Sequence, residues 1–161
     1  MSPARAYVGL GSNLEQPERQ VRRALDGLGA IRGTRLVAHS RLYRTPPWGE
    51  TDQPDFVNAV AAIDTILSPQ DLLGELQRLE AAAGRARARR WGPRTLDLDL
   101  LLHGDAELDL PGLVLPHPQV AQRAFVLVPL AELAPELEIP GQGRVSALLA
   151  AVDAAGIEAL G

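Results

Sequence analysis

The sequence predicts an α+β fold: a single domain over residues 1–161, built on a ferredoxin-like βαββαβ core with additional C-terminal helices. Three observations lead to this prediction. Strand-like and helix-like segments alternate in that order over about the first hundred residues, separated by glycine and proline. The chain of 161 residues is long enough for one core. Its composition, 46% hydrophobic against 22% charged residues, is typical of a globular protein.

The first half of the chain supplies one strand, one helix and two further strands. An opening strand is predicted from Ala4 to Leu10, and the glycines and polar residues at 9–13 are expected to turn the chain into a helix. That helix runs from Pro17 to Leu28, with its apolar residues on one stripe. Alternating patterns predict a strand over Thr34 to Arg44 and another over Phe56 to Thr65.

The second half begins with a capped helix. Ser68 is a suitable N-cap before Pro69, and an amphipathic helix follows as far as Gly84. A strand over Thr95 to His103 completes the core. The later elements are an extended segment at 113–115, a short helix at 120–123, a helix at 126–133 and a final outer helix at 145–155.

Composition excludes several kinds of chemistry. Because the chain has no cysteine, it has no disulfide, thiolate nucleophile or thiolate-bound zinc. All sixteen basic residues are arginine, which excludes a P-loop lysine, a Schiff-base lysine and a lysine general base. The three histidines, His39, His103 and His117, lack the close spacing of a transition-metal site.

Charge and hydropathy narrow the choice of partners. A formal net charge of −4 argues against broad nucleic-acid binding, because domains that bind nucleic acid carry an extended basic surface. No apolar run reaches the roughly 18 residues that span a bilayer, and the N-terminus lacks the apolar core of a signal peptide. We therefore expect a cytoplasmic monomer that binds small anionic molecules, with neither nucleic acid nor membrane as a partner.

The segment from Arg85 to Asp99 predicts a polyphosphate and magnesium site. Five arginines lie between Arg85 and Arg94, without an acidic residue from 81 to 96, and guanidinium forks suit phosphate oxygens. Asp97 and Asp99 follow in a strand-like run, where a spacing of two puts both carboxylates on one face, about 6.5 to 7 Å apart along the strand. Magnesium is usually held by one or two carboxylates together with the phosphates of its substrate.

Each of these features also has an ordinary structural explanation. An arginine-rich stretch is most often a solvated surface or a nucleic-acid patch, and an Asp-Leu-Asp pattern is most often a half-exposed strand. Residues 45–54, with three prolines and Trp48, either shape a site or form a stiff connector. The rigid turn Trp91-Gly92-Pro93 favours a functional role, because a merely solvated loop has little use for a large aromatic side chain.

Several segments of the sequence, in the correct order, resemble those of one enzyme family. They are GLGSNL at 9–14, YRTPPWG at 43–49, QPDFVN at 53–58, RWGPRTLDLD at 90–99, PHP at 116–118 and RAF at 123–125. Through them the chain resembles 6-hydroxymethyl-7,8-dihydropterin pyrophosphokinase, an enzyme of folate biosynthesis, over nearly its whole length. The resemblance implies transfer of the β,γ-pyrophosphoryl group of ATP to the hydroxymethyl oxygen of the pterin, with release of AMP.

The resemblance also implies which residues act on the co-substrate ATP. Asp97 and Asp99 would hold two Mg²⁺ ions that bridge its phosphates. The catalytic set it implies is Arg85, Arg94, Asp97 and Asp99, and the other ATP-side residues are Gln77, Glu80, Arg87, Trp91, Leu100, His117 and Arg123. Gln77 and Glu80 are equally well explained as solvent-facing helix residues. His117, between two prolines, has a purely structural alternative.

A pterin is a flat bicycle with a donor and acceptor edge, so its site needs ring faces and amide-like partners. The residues that the resemblance implies are Thr45, Pro46, Trp48, Phe56, Asn58 and Phe125. Phe56 and Phe125 would supply the faces, and Asn58 would read the edge with both a donor and an acceptor. Core packing is the ordinary alternative for each phenylalanine.

The sequence departs from the family pattern on the ATP side. The loop between Arg87 and Trp91 is one residue shorter, and Ala88 stands where a lysine can occur. Gly112 and Gln119 stand where basic residues are common. Individual ATP contacts of the family, especially those beyond Asp99, therefore do not carry over to this chain from the resemblance alone, whereas the metal and pterin sets are intact.

Two other classes of function compete with this interpretation. A ferredoxin-like RNA-binding module would carry exposed aromatic residues on a central strand, and Thr95 to His103 has none. A structural or regulatory relic without activity would not need Asp97, Asp99 and Arg94, all of which are present.

Overall fold

A computed structural model of the chain describes residues 2–14, 16–46, 53–84 and 96–160. Its elements are β1 Ala4–Ser12, α1 Pro17–Gly29, β2 Thr34–His39, β3 Tyr43–Thr45, β4 Phe56–Thr65, α2 Pro69–Ala82, β5 Asp97–His103, β6 Leu108–Leu110, β7 Leu113–Leu115, α3 Ala124–Leu133, β8 Glu138–Ile139, β9 Gly143–Arg144, α4 Val145–Ala150 and β10 Glu158–Ala159. A short 3-10 turn, Val120–Gln122, precedes α3. None of the helices in these ranges is long and apolar enough to cross a lipid bilayer.

Six strands of the described residues form one antiparallel sheet. β1 lies in the middle, paired with β4 on one side and with β5 on the other. β4 pairs in turn with both β2 and β3, and β10 adds to the outer edge of β3. The order β5, β1, β4 and then β2 with β3 is the ferredoxin-like arrangement, which confirms the predicted fold class.

Helices pack on both faces of this sheet. Ala6, Val8 and Leu10 of β1 lie on the face covered by α1 and α2, which we call the first face. Residues of a strand alternate between faces, so Tyr7 lies on the second face, where α3 packs with Leu127 among its buried residues. The core helices thus lie on one face, as predicted, and the additional C-terminal helices cover part of the other.

Two predictions for the first half were wrong. β1 does not end at Leu10: Gly9 and Gly11 lie within the strand, because β1 pairs with β4 along its whole length to Ser12. The single strand predicted over Thr34 to Arg44 is broken after His39. There the backbone N–H of Ser40 still donates to the carbonyl of Val60 at 2.8 Å, but the N–H of Val60 donates at 3.0 Å to the hydroxyl of Ser40, which in turn donates to the carbonyl of Arg41. The side chain thus takes the place of one backbone partner, and the regular pairing ends.

The final helix is also shorter than predicted. It ends at Ala150 instead of Ala155, and the chain turns through Gly156, whose φ of +84° is left-handed. The carboxylate of Asp153 accepts from the backbone N–H of Ala155 at 2.9 Å, which stabilises that turn. The chain then returns as β10 to the edge of β3. The β6–β7 hairpin was not predicted, and α3 begins two residues earlier than expected.

A partly buried cluster of hydrogen bonds joins α3 to the start of β3. The Tyr43 hydroxyl donates to Glu132 Oε1 at 2.5 Å, and the backbone N–H of Arg41 donates to Oε2 at 3.0 Å. Burial alone would raise the pKa of Glu132, but the hydrogen bonds from Tyr43 and Arg41 outweigh it and lower that pKa. The cluster therefore fixes α3, which carries Phe125, against the strand that carries Thr45.

We expect Tyr43→Phe to lower the free energy of unfolding by about 1 kcal/mol at neutral pH, because a carboxylate loses a hydrogen bond. The pKa of Glu132 is lowered on folding, so this stabilisation is present above its ordinary pKa of 4.5 and is lost as pH falls through the folded value. Urea unfolding of both proteins from pH 7 to 3 should show the gap closing on acidification. In the Glu132→Gln background the remaining gap should not change with pH; a wild-type gap that is constant down to pH 3 would contradict this account.

Candidate active site

A cleft with about 700 Å³ of space, part of it open to solvent, lies on the second face of the sheet where α3 leaves the strands uncovered. Its lining residues come from β1, the end of β3, β4, β5 and the start of α3. They are Gly9, Leu10, Gly11, Thr45, Pro46, Phe56, Asn58, Ala59, Asp97, Asp99, Arg123, Phe125 and Val126. The structure thus brings together eight residues that the sequence placed in a site: Thr45, Pro46, Phe56, Asn58, Asp97, Asp99, Arg123 and Phe125.

The floor of the cleft is set by the register of three strands. Gly11 of β1 pairs with Asn58 of β4 on one side and with Asp97 of β5 on the other. Gly9, two residues earlier, pairs with Asp99 in the same way. Because alternate residues share a face, an amide and two carboxylates lie on the two sides of a strip that has no side chains.

The carboxamide of Asn58 is fixed by its neighbour on β3. Its Nδ2 donates to the hydroxyl oxygen of Thr45 at 2.6 Å. Thr45 is only 1% exposed and Asn58 8%, so water competes little for this hydrogen bond. Within the described part of the chain, no donor reaches the carboxamide oxygen, which leaves an acceptor at the cleft.

Arg123 brings a positive charge to the carboxylate side of the cleft. Burial lowers the pKa of its guanidinium, while the negative charges of Asp99 and Asp97 oppose that shift. One of its N–H groups donates to the side-chain oxygen of Gln119, and its guanidinium carbon lies 5.5 Å from the ring centroid of Phe125. A buried cation beside two carboxylates is suited to an anion that arrives with its own metal ions.

His117 lies just behind this charged side as a neutral imidazole. Burial lowers its pKa from 6.5 to about 4, the charge of Arg123 adds to the shift, and Asp97 opposes it. Its Nδ1 accepts from the backbone N–H of Gln119 at 3.2 Å, which assigns the proton to Nε2. The backbone N–H of His117 also donates to the carbonyl of Leu101, so the ring has a fixed position against β5.

Comparison with known proteins identifies the family. Residues 7–135 match the family described as 7,8-dihydro-6-hydroxymethylpterin-pyrophosphokinase (HPPK). The chain belongs to the HPPK family. This confirms the resemblance expected from the sequence, and the matched range includes every residue that lines the cleft.

Proteins named 2-amino-4-hydroxy-6-hydroxymethyldihydropteridine pyrophosphokinase are close in sequence. The one from Pseudomonas aeruginosa is 55% identical over 156 residues, which cover 97% of this chain and 96% of that protein. That from Methylorubrum extorquens is 53% identical over 154 residues, covering 96% and 97%. That from Haemophilus influenzae is 48% identical over 144 residues, covering 89% and 90%.

Solved structures agree on the fold. Wild-type Plasmodium falciparum HPPK-DHPS with SDX-DHP superposes with a TM-score of 0.69 at 14% identity over 92% of this chain. An HPPK-DHPS in complex with substrates gives a TM-score of 0.71 at 12% identity, again over 92%. The chain spans 43% of each of those longer chains. At such low identity the likeness concerns the fold.

Some predicted residues lie away from the cleft. Gln77 is exposed on α2, whereas Glu80, on the same helix, is buried. Glu80 Oε2 accepts from the backbone N–H of Leu98 at 2.8 Å, so it ties α2 to the strand that carries the two aspartates. Leu100 packs in the core of the first face. Their contacts with ATP remain predictions, as does that of His117.

Other predictions fall outside the described residues. They concern the side chains of Trp48, Arg85, Arg87, Trp91 and Arg94, together with the departure at Ala88. Their roles come from the family resemblance alone.

Sequence reasoning missed the glycines that form the cleft floor. We expected Gly9 and Gly11 to form a turn, although their spacing of two, with apolar Leu10 between them, also fits a strand that has one open face. Asn13 was expected only to help turn the chain into the first helix. Its Nδ2 donates to the carbonyl of Pro54 at 3.0 Å and to the side-chain oxygen of Gln53 at 2.8 Å, which anchors the chain just before β4.

The half-buried, neutral imidazole of His117 leads to a pH prediction. Its pKa is lowered on folding, so the unfolded chain binds more protons between pH 6.5 and about 4, and stability falls as pH falls through that window. We expect an NMR titration midpoint near 4 for His117, assigned by comparison with His117→Gln. The variant should also avoid an acid destabilisation on the order of 2 kcal/mol. A midpoint at or above 6.5 would show that the ring is not buried as a neutral group.

Proposed function

We propose that this chain is a 2-amino-4-hydroxy-6-hydroxymethyldihydropteridine diphosphokinase. It transfers the pyrophosphoryl group of ATP to the hydroxymethyl group of 6-hydroxymethyl-7,8-dihydropterin and gives the pterin diphosphate and AMP, a step in folate biosynthesis. The observation that carries this proposal is the division of one cleft into an aromatic and amide side and a carboxylate side. None of the relatives described above is an RNA-binding protein, and the RNA-binding alternative has no support.

The amide side of the cleft suits the pterin ring. Phe56 and Phe125 both line it and offer apolar faces for a flat bicycle. Asn58 offers a carboxamide held in place by Thr45, with an acceptor and a second N–H that can meet the donors and acceptors of the ring edge. Pro46 adds an apolar wall beside them. We expect this set to orient the ring with its hydroxymethyl group toward β5, the strand that carries the two aspartates.

The carboxylate side suits magnesium bound to a triphosphate. Asp97 and Asp99 are half-buried, lie on one face of β5 and are held by pairing with β1. Among the described residues no group of three or more His, Asp or Glu side chains could enclose a metal ion. Two carboxylates with an open side fit magnesium, an ion that takes its other ligands from phosphates and water.

Two Mg²⁺ ions, when bound with ATP, would neutralise charge on the phosphates and act as Lewis acids toward them. The protein's own contribution is orientation. Asp97 lies in the same row as Asn58, and Asp99 lies one row further from it, so Asp97 is nearer to the pterin side. Arg123 adds positive charge for the phosphate oxygens.

The reaction then requires one displacement at phosphorus. The hydroxymethyl oxygen forms a bond to the β-phosphorus, and the bond from that phosphorus to the α,β-bridging oxygen breaks, which releases AMP. The proton of the hydroxyl group passes to solvent water as the new bond to phosphorus forms, which balances the charge. Alignment of the two substrates within one cleft supplies much of the rate, because phosphoryl transfer depends mainly on positioning and charge neutralisation.

Further parts of the proposal rest on the family resemblance and on general properties of the chain. The phosphates would be contacted by Arg85, Arg87 and Arg94. Two tryptophans would border the substrates, Trp91 and Trp48. The ATP side would be completed by Gln77, Glu80, Leu100 and His117. We also propose one domain over residues 1–161, acting in the cytoplasm, where ATP is made. A monomer that does not bind nucleic acid fits the net charge of −4 and the scattered exposed apolar side chains of the described residues.

The aspartate pair provides the direct test of this function. Asp97→Asn and Asp99→Asn keep the shape of the side chain but remove a metal ligand, so pterin-dependent AMP release should fall by about 10³-fold or more. Melting temperatures should remain close to that of the wild type. Asp26→Asn, an exposed change on α1 at the first face, is the matched control and should keep full activity. AMP release by either cleft variant within tenfold of the wild-type rate would refute the metal assignment.

A further inference from the structure

Gly11 occupies the one position between the amide and the carboxylates of the cleft. It pairs with Asn58 in β4 and with Asp97 in β5, so these three residues form a row across three strands. Its φ lies outside the left-handed region, and any residue could adopt that backbone conformation. Conformational freedom therefore does not explain why this position is glycine.

Space does explain it. A Cβ added at Gly11 would lie 2.6 Å from Asn58 Oδ1 and 3.7 Å from its Cγ, and the next neighbour is the carbonyl oxygen of Val57 at 3.9 Å. The first distance is far below van der Waals contact, and all three atoms belong to β4. At Gly9, by contrast, the added Cβ would meet Leu101 at an ordinary 3.6 Å. The conflict at Gly11 is thus specific to the Asn58 carboxamide.

The side chain of Asn58 cannot rotate away from an added methyl group without losing a contact. Its Nδ2 is bound to the Thr45 hydroxyl at 2.6 Å, and both side chains are almost fully buried. Rotation away from a methyl group at Gly11 would break that hydrogen bond or move the carboxamide out of line with the cleft. The missing side chain of Gly11 and the hydroxyl of Thr45 therefore fix the same group from opposite sides.

We propose that Gly11 and the Thr45 hydroxyl are specificity-determining positions for the heterocyclic substrate, acting through Asn58. They hold the carboxamide with its oxygen above Gly11, where it accepts from an N–H on the amino-oxo pyrimidine edge of the ring, while the remaining Nδ2 hydrogen donates to that edge. Neither the missing side chain of Gly11 nor the hydroxyl of Thr45 affects the binding of Mg-ATP, because the atoms that they constrain belong to β4. This inference rests on the proposed function; it adds Gly11 to the residues that decide ring recognition and gives the hydroxyl of Thr45 a positioning role.

The first test uses Gly11→Ala, Thr45→Val and Thr45→Ser, with Gly74→Ala as the matched control on α2, where an added Cβ meets no atom within 4 Å. Calorimetry with 6-hydroxymethyl-7,8-dihydropterin should give a Kd about 10- to 100-fold higher for Gly11→Ala and Thr45→Val, because the Asn58 carboxamide is then no longer held in position to bind the ring. Thr45→Ser restores the hydroxyl and should bind as the wild type does, as should Gly74→Ala. The Kd for Mg-ATP should change by less than about twofold in all four variants.

The second test asks whether Gly11 acts through Asn58. In an Asn58→Ala background the carboxamide that would clash with the added methyl group is gone, so Gly11→Ala should change kcat/KM for the pterin by less than about twofold. If both backgrounds lose the same factor, Gly11 does not act through Asn58 and the inference is overturned. If Gly11→Ala does not fold, Thr45→Val in the two backgrounds gives the same comparison.

The inference and the proposed function fail in different ways. Wild-type protein that neither binds the pterin nor releases AMP would refute the function itself. Active wild-type protein together with unchanged pterin binding in Gly11→Ala or Thr45→Val would overturn only this inference. Weakening of pterin and Mg-ATP binding by the same factor would likewise overturn it, because it would indicate a general distortion of the cleft.

Discussion

The structure depends on the register of β1 between β4 and β5. That register places Gly11 in one row with Asn58 and Asp97, and Gly9 in the next row beside Asp99. A slip of one residue would exchange the two faces of the strand, so that the side chain of Leu10 would enter the cleft and a glycine would face the core. The apolar residues Ala6, Val8 and Leu10, which are all buried on the first face, make such a slip costly. Core packing on one face therefore aligns the polar groups on the other.

In our proposal the two sides of the cleft offer the two substrates different environments. On one side a buried carboxamide and two aromatic rings offer fixed, mostly neutral contacts to a flat ring. On the other side lie two carboxylates and the buried guanidinium of Arg123, with the neutral imidazole of His117 behind them, and we propose that metal ions and phosphates bind there. The strip of glycines between them leaves room for the reacting groups to meet. Partial burial keeps these electrostatic interactions stronger than they would be in water.

Local patterns in the sequence predicted much of the fold. The limits of β4, from Phe56 to Thr65, and the buried stripe of α1 follow directly from periodicity. Predictions were wrong where a contact between residues distant in sequence determines the local structure. The hydroxyl of Ser40 accepts a hydrogen bond from Val60, which ends a strand, and the C-terminal segment pairs with β3 instead of continuing the last helix. The same limit applies to the site. Sequence motifs predicted eight residues of the cleft, but only the pairing of the strands shows that Gly11 lies between Asn58 and Asp97.

The most direct test of the account is a crystal structure with Mg²⁺, a non-hydrolysable ATP analogue and 6-hydroxymethyl-7,8-dihydropterin. The account predicts metal ions about 2.1 Å from carboxylate oxygens of Asp97 and Asp99 and shared with phosphate oxygens. It also predicts the ring edge at Asn58, with the hydroxymethyl oxygen facing the β-phosphorus. A complex with the analogue bound but no metal ion at either aspartate, or with the pterin outside the cleft, would contradict it.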